Sequence, residues 1–250
     1  PIDFGFVGSQ EHKQLVVVLK NGGPDKVHIN DIQSSNPCFS ILDFPDETPL
    51  LNGGVDLKSG VIDSLILQFE AVDQFEHEYK DLLIINLQGG IQVETELLAT
   101  TTQGSAIAGG PIWGVLKEEN SPFRIYGDIV VPVERSLVIE PGSVLVFEKS
   151  GGLIVGEDAS LWAVGTFEDS IKFVAADQDV GWNGIEFKNS GDDDSLAWCV
   201  ISGGNSHFVP ENNNGGALFV SNTTLAIAHA TICGNKAKNG GALFCDSADV

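Results

Sequence analysis

Gly215-Gly216-Ala217-Leu218-Phe219-Val220 recurs as Gly240-Gly241-Ala242-Leu243-Phe244-Cys245, and this pair of segments decides the reading of the fold. Looser copies stand upstream at Gly151-Gly152-Leu153-Ile154-Val155 and Asn183-Gly184-Ile185-Glu186-Phe187. A second register interleaves with the first, in Ile171-Lys172-Phe173-Val174, Leu196-Ala197-Trp198-Cys199-Val200-Ile201 and Leu225-Ala226-Ile227. Short strands repeating in this way cannot bury their apolar faces singly, but stacked neighbours can. Each turn of such a stack lies about 4.8 Å above the last, with like residues aligned. Asn-Gly hairpin signals, which antiparallel pairing would favour, are scarce here. Residues 127–250 therefore read as a parallel β-helix, with Leu137, Ile139, Leu153, Ile185, Leu218, Ile227 and Leu243 pointing inward. Variable turn lengths place the extra residues in outer loops. Asn205 and Asn235, just beyond Ile201 and Ile232, are expected at left-handed bends between strands.

Upstream the pattern differs. The apolar run Gln14–Lys20 ends at the turn signal Asn21-Gly22-Gly23-Pro24. Alternating segments follow around Val27–Ile32 and Phe39–Ile41, then at Ile62–Phe69, Leu82–Leu87 and Ile91–Leu98. Several short strands within about a hundred residues predict a β-sandwich. The Thr100-Thr101-Thr102-Gln103-Gly104-Ser105 stretch and Gly109-Gly110-Pro111 mark the junction. The division is 1–104 sandwich, 105–126 linker and cap carrying Trp113, Phe123, Ile125 and Tyr126, and 127–250 β-helix, incomplete at its C-terminal end.

Two resemblances sharpen this. Pro1-Ile2-Asp3-Phe4-Gly5-Phe6-Val7-Gly8, Val16–Lys20 with Asn21-Gly22-Gly23, Ile29-Asn30-Asp31-Ile32 and Phe39-Ser40-Ile41 resemble the choice-of-anchor D or Hydin-like immunoglobulin-like domain. The later Leu65-Ile66-Leu67-Gln68-Phe69 matches that family's strand but lacks the proline that usually follows. Such modules are mostly spacers and binding platforms. Gly127-Asp128-Ile129-Val130-Val131-Pro132 with Leu137–Phe147 is similar to the first coil of bacterial right-handed β-helices. Trp182-Asn183-Gly184-Ile185-Glu186-Phe187 with Leu196–Ile201 is similar to coils of secreted surface proteins. Thr231–Ala237 followed by Gly240–Phe244 resembles the polymorphic outer-membrane-protein repeat. The resemblance implies an immunoglobulin-like β-sandwich followed by a right-handed parallel β-helix, on an exported protein.

Composition bounds the function. The 250 residues carry 35 acidic and 13 basic side chains, a formal charge of −22. Nucleic acid and anionic membrane surfaces are excluded as partners by repulsion. No apolar run is long enough to span a bilayer. Met is absent and residue 1 is Pro, which reads as a segment of a longer, processed polypeptide. The cysteines Cys38, Cys199, Cys233 and Cys245 form no CxxC pair, so a structural zinc site is not expected. With Cys38 alone in the first half, at most one bridge forms within the second, and no disulfide is expected to hold the fold, a buried thiol serving equally as a small hydrophobe.

Candidate chemistry is sparse, and no catalytic, cofactor-binding or metal-ligating residue is nominated. Asp192-Asp193-Asp194 reads as a solvated turn, with Ca²⁺ ligation as the alternative. A pectate-lyase-like site needs clustered carboxylates and a basic side chain on stacked strands. The second half offers only Arg124 and Arg135, with Lys172 and Lys188 on mid-coil strands. His12, His28, His77, His207 and His229 are scattered, His229 reading as a turn or packing residue. Trp162, Trp182 and Trp198 could stack on sugars or fill a coil. Asn222-Thr223-Thr224 is a glycosylation sequon by pattern. The expected role is structural or adhesive and non-enzymatic, on a bacterial cell surface, as spacer, adhesin or filament subunit. The alternative is a polysaccharide-binding or polysaccharide-cleaving β-helix. Expected partners are further coils or copies of the chain, surface glycans or other surface proteins.

Overall fold

The computed structural model describes residues 1–9, 11–43, 54–71, 76–148, 151–191, 193–206 and 213–250. The chain is all-β and divides into two compact units, Pro1–Gln103 and Gly104–Val250. No helix among the described residues is long and apolar enough to cross a membrane.

In the first unit, Ile2–Gly8, Ile91–Thr102, His77–Leu87, Val27–Gln33 and Val55–Leu57 form one five-stranded sheet in that order. His12–Lys20, Ile62–Glu70 and Phe39–Asp43 form a second, three-stranded sheet. Alternation in sequence produces alternation in burial: Leu65, Leu67 and Phe69 lie in the interior, while Ser64, Ile66 and Gln68 are half-buried and Glu70 is exposed. Residues of both sheets share one core, in which Phe4, Phe39 and Phe69 sit with ring centres 4.9 to 6.0 Å apart. Among the described residues all pairing in the unit is antiparallel except Ile2–Gly8 with Ile91–Thr102. That parallel pair slips register between Asp3 and Phe6, where Gly5 has φ +66° and donates its N–H to Asp3 Oδ1. The bulge lets Phe4 and Val7, three residues apart, both face the core. The strand Val55–Leu57 carried no alternation long enough to be expected.

The second unit contains three parallel sheets, visited in strict rotation. The first holds Ser105–Ile107, Phe123–Ile125, Val144–Phe147, Ile171–Ala175, Cys199–Ser202 and Thr231–Cys233. The second holds Gly110–Pro111, Ile129–Val131, Leu153–Val155, Ile185–Lys188, Leu218–Ser221 and Leu243–Asp246. The third holds Gly114–Leu116, Ser136–Ile139, Ser160–Val164, Asp194–Ala197 and Leu225–Ala228. Among the described residues every strand pair in the unit is parallel, and each strand but the last three pairs with the one three positions later in the chain. Ile129, Leu153, Ile185, Leu218 and Leu243 form one continuous ladder, although the loops between them differ in length. Leu137, Ile139, Leu153, Ile185 and Leu218 are fully buried, while Ile227 and Leu243 of the last turn pack partly buried against the same core.

Two expectations change here. Residues 105–126, read as linker and cap, contribute strands to all three sheets, and Phe123 and Ile125 enter the shared core. The bends assigned to Asn205 and Asn235 are made by Gly203 (φ +75°) and Gly234 (φ +66°). The two asparagines serve as internal staples instead. Asn205 donates its amide to Val180 O, while Asn235 accepts from Gly204 N and donates to Ile201 O. The non-glycine left-handed residues stack at other corners. Glu134, Asp158, Asn189, Asn222 and Ser247 follow successive strands of the second sheet, and Trp198 and His229 follow strands of the third. Gly204 is needed for space rather than for φ. A Cβ there would lie 2.0 Å from the carbonyl oxygen of Gly216, which closes the same connection between Cys199–Ser202 and Leu218–Ser221.

Candidate binding surface

The three outer faces of the second unit are not alike. Outward positions of the first sheet include Arg124 and Lys172, and those of the second include Glu186, Lys188 and Asp246. The third sheet carries no charge on its outer face. Its central column runs Val115, Val138, Trp162, Ser195, Ala226 in direct register. On one side Ser136 pairs with Ser160, and on the other Val164, Ala197 and Ala228 align. The inward residues of these strands are apolar apart from Asp194, so alternation leaves small, uncharged residues outside. Trp162 is 48% exposed, with Val115 at 54% and Val138 at 37%.

Aromatic side chains extend this face along one corner. Trp198 directly follows Ala197, and its left-handed backbone turns the chain into the first sheet. His229 occupies the equivalent bend one turn later, and the two rings stack at 4.1 Å and 11°. Phe167, 82% exposed, meets Trp198 edge-on at 5.6 Å. Trp113 lies before the first strand of the sheet, with the Arg135 guanidinium 5.7 Å from its ring centre. Trp182, expected as a possible sugar platform, is core. It is fully buried, stacks on Phe147 at 4.0 Å and donates its indole N–H to Ser202 O.

The acidic triplet is also divided by the fold. Asp192 lies outside the described residues, Asp193 is exposed, and Asp194 is 1% exposed. Asp194 Oδ1 accepts the Leu161 N–H at 2.7 Å, and Oδ2 accepts the Ser190 hydroxyl at 2.5 Å. Thr223, one turn above, lies 3.0 Å from Ser190 Oγ and donates to Ser190 O. Burial pushes the Asp194 carboxyl up to about 6, against those hydrogen bonds and with help from the Asp193 charge. Its oxygens are thus taken by protein donors, and no metal-ligating group of three occurs among the described residues.

The remaining candidates have ordinary partners. Arg124 is paired with Glu148 at 2.7 Å. His28 meets Asp56 at 2.7 Å, and His77 packs edge-on against Tyr79. His207 lies outside the described residues. The thiols of Cys38 and Cys199 are buried, and those of Cys233 and Cys245 are exposed. Burial holds the Cys199 thiol up at about 12. Asn222 of the sequon is exposed, whereas Thr223 turns inward. In the first unit an apolar cleft of about 260 Å³ opens among Leu19, Val27, Ile29, Leu57, Leu87 and Val93.

No protein-family model matches the chain, and no curated protein matches it. Among solved structures it is similar to a protein of unknown function from Porphyromonas gingivalis W83, at 16% identity and TM-score 0.30. That match covers 40% of this chain and 43% of the other. It is also similar to the secreted serine protease VesC from Vibrio cholerae, at 14% identity and TM-score 0.31, covering 41% and 22%. A family 123 glycoside hydrolase from Clostridium perfringens matches at 10% identity and TM-score 0.31, covering 45% and 26%. The chain spans less than half the length of each, and likenesses at this level carry no argument about fold or activity.

Proposed function

We propose that this chain is an extracellular structural segment of a bacterial surface protein, an immunoglobulin-like sandwich followed by a right-handed parallel β-helix. The observation supporting this most directly is the strict rotation of the second unit through three parallel sheets around one unbroken apolar core. Such a stack gains length one turn at a time, because each turn needs contacts only with its neighbours. A spacer, adhesin or filament subunit uses that property. Among the described residues, Thr231–Cys233 and Leu243–Asp246 pair with a strand on one side only, while the outer edge of Leu225–Ala228 is partly covered by Asp249, whose carbonyl accepts the Leu225 N–H at 2.9 Å. The unpaired N–H and C=O groups of Thr231–Cys233 and Leu243–Asp246 would take a strand from a neighbouring molecule.

Antibodies raised against the 250-residue chain test the location. Labelling of intact cells, or recovery from the medium, is expected; labelling only after permeabilisation would refute it. Light scattering tests the assembly. A stable monomer whose Leu243 coil resists hydrogen exchange would show that the last turn needs no partner.

A further inference from the structure

We propose that the outer face of the third sheet, centred on Trp162, is a platform for an extended, uncharged polysaccharide chain. This goes beyond the structural role, and its test is independent of where the protein resides. The first ground is charge. In a chain of net charge −22, the other two sheets carry ionic side chains outward and this one carries none. A polyanion approaching it would meet the acidic surroundings, whereas a neutral polymer meets no such barrier.

The second ground is shape. The five strands stand about 4.8 Å apart, so the face is roughly 19 Å across and continuous, which suits a polymer better than a small molecule. Val115 and Val138 below Trp162, and Ser195 and Ala226 above it, are smaller than the indole, so the half-exposed ring rises from an even surface. The third ground is chemistry. A sugar ring has an apolar C–H face and hydroxyls at its edge. Trp162 offers a flat π surface to the first, and Ser160 and Ser195 set hydroxyls beside it for the second. The exposed Phe167 ring beside Trp198 continues the platform at its edge.

The test uses the full 250-residue chain in affinity electrophoresis with xylan, mannan and mixed-linkage β-glucan, and in co-sedimentation with cellulose and chitin. Polygalacturonate serves as the charged comparison. Binding to at least one neutral polymer and not to polygalacturonate is expected. Trp162→Ala should weaken that binding about tenfold or more, Trp162→Phe less, and Phe244→Ala on the second sheet not at all. Val138→Glu, which places a charge beside the ring without emptying the core, should abolish it. Circular dichroism of each variant confirms folding, and if Trp162→Ala does not fold, Trp162→Phe and Val138→Glu decide. The proposal is overturned if no neutral polymer binds, if polygalacturonate binds equally, or if the folded Trp162 and Val138 variants bind as the parent does. A Trp162-dependent dimer without polysaccharide would make a second copy the occupant and would equally overturn it.

Discussion

Replacing Asp194 by Asn should stabilise the second unit at neutral pH and do nothing at pH 4. The carboxyl is 1% exposed and carries a pKa of about 6 against an ordinary 3.8. Between those two values the folded chain holds a proton that the unfolded chain has released. Stability therefore falls as pH rises from about 4 to about 6, and above that range the full cost remains. The shift corresponds to roughly 3 kcal/mol, at about 1.4 kcal/mol per pH unit. Protonated Asp194 can donate to Ser190 Oγ, Ser190 to Thr223 Oγ1, and Thr223 onward to the Ser190 carbonyl, so every group stays paired. An asparagine amide can donate along the same path, and its Oδ1 still accepts from Leu161 N. Urea unfolding of parent and Asp194→Asn chains, followed across pH 4 to 7.5, measures the difference. It should grow from near zero to roughly 3 kcal/mol in favour of the variant. A difference independent of pH, or a variant less stable than the parent at pH 7.5, would refute the reasoning.

Other expectations concern separate parts of the molecule. Leu218→Ala, at a fully buried position between Ile185 and Leu243 in the ladder, should cost about 3 kcal/mol in chemical unfolding of the second unit. Gly204→Ala should prevent that unit from folding, read as loss of its cooperative melt, because the added Cβ meets the Gly216 carbonyl at 2.0 Å. Native-state thiol labelling should modify Cys233 and Cys245 and leave Cys199 untouched until the chain unfolds. In the first unit, burial of Asp81 is outweighed by hydrogen bonds from Ser34, Ser35 and the Asn36 and Leu82 backbone, which bring its carboxyl down to about 2. Its contribution is therefore present above about pH 4 and lost as pH falls toward 2, and Asp81→Asn should flatten the acid limb of that unit's stability profile.

Much of the interior could be read from the chain alone. A strand turns alternate side chains to opposite faces, so apolar residues at every second position declare an inward side without any knowledge of the neighbours. Leu137, Ile139, Leu153, Ile185 and Leu218 were legible for that reason, as was the repeat that aligns Leu218 with Leu243. What alternation cannot convey is which outward residues share a face, since that depends on loop lengths and on the rotation through three sheets. Val138, Trp162 and Ser195 lie far apart in sequence and adjacent in space, so the absence of charge around Trp162 emerged only from the register. Trp162 and Trp182 read alike in sequence, each in a strand-like stretch. Stacking put one on the surface and the other against Phe147. Asp194, which in sequence belongs to an acidic turn, is drawn inside because the corner folds Ser190 and Thr223 over it. Local pattern determined what each strand buries. Only the stacking of distant turns decided which polar groups meet, because hydrogen bonds and shared surfaces require proximity that the order of residues does not encode.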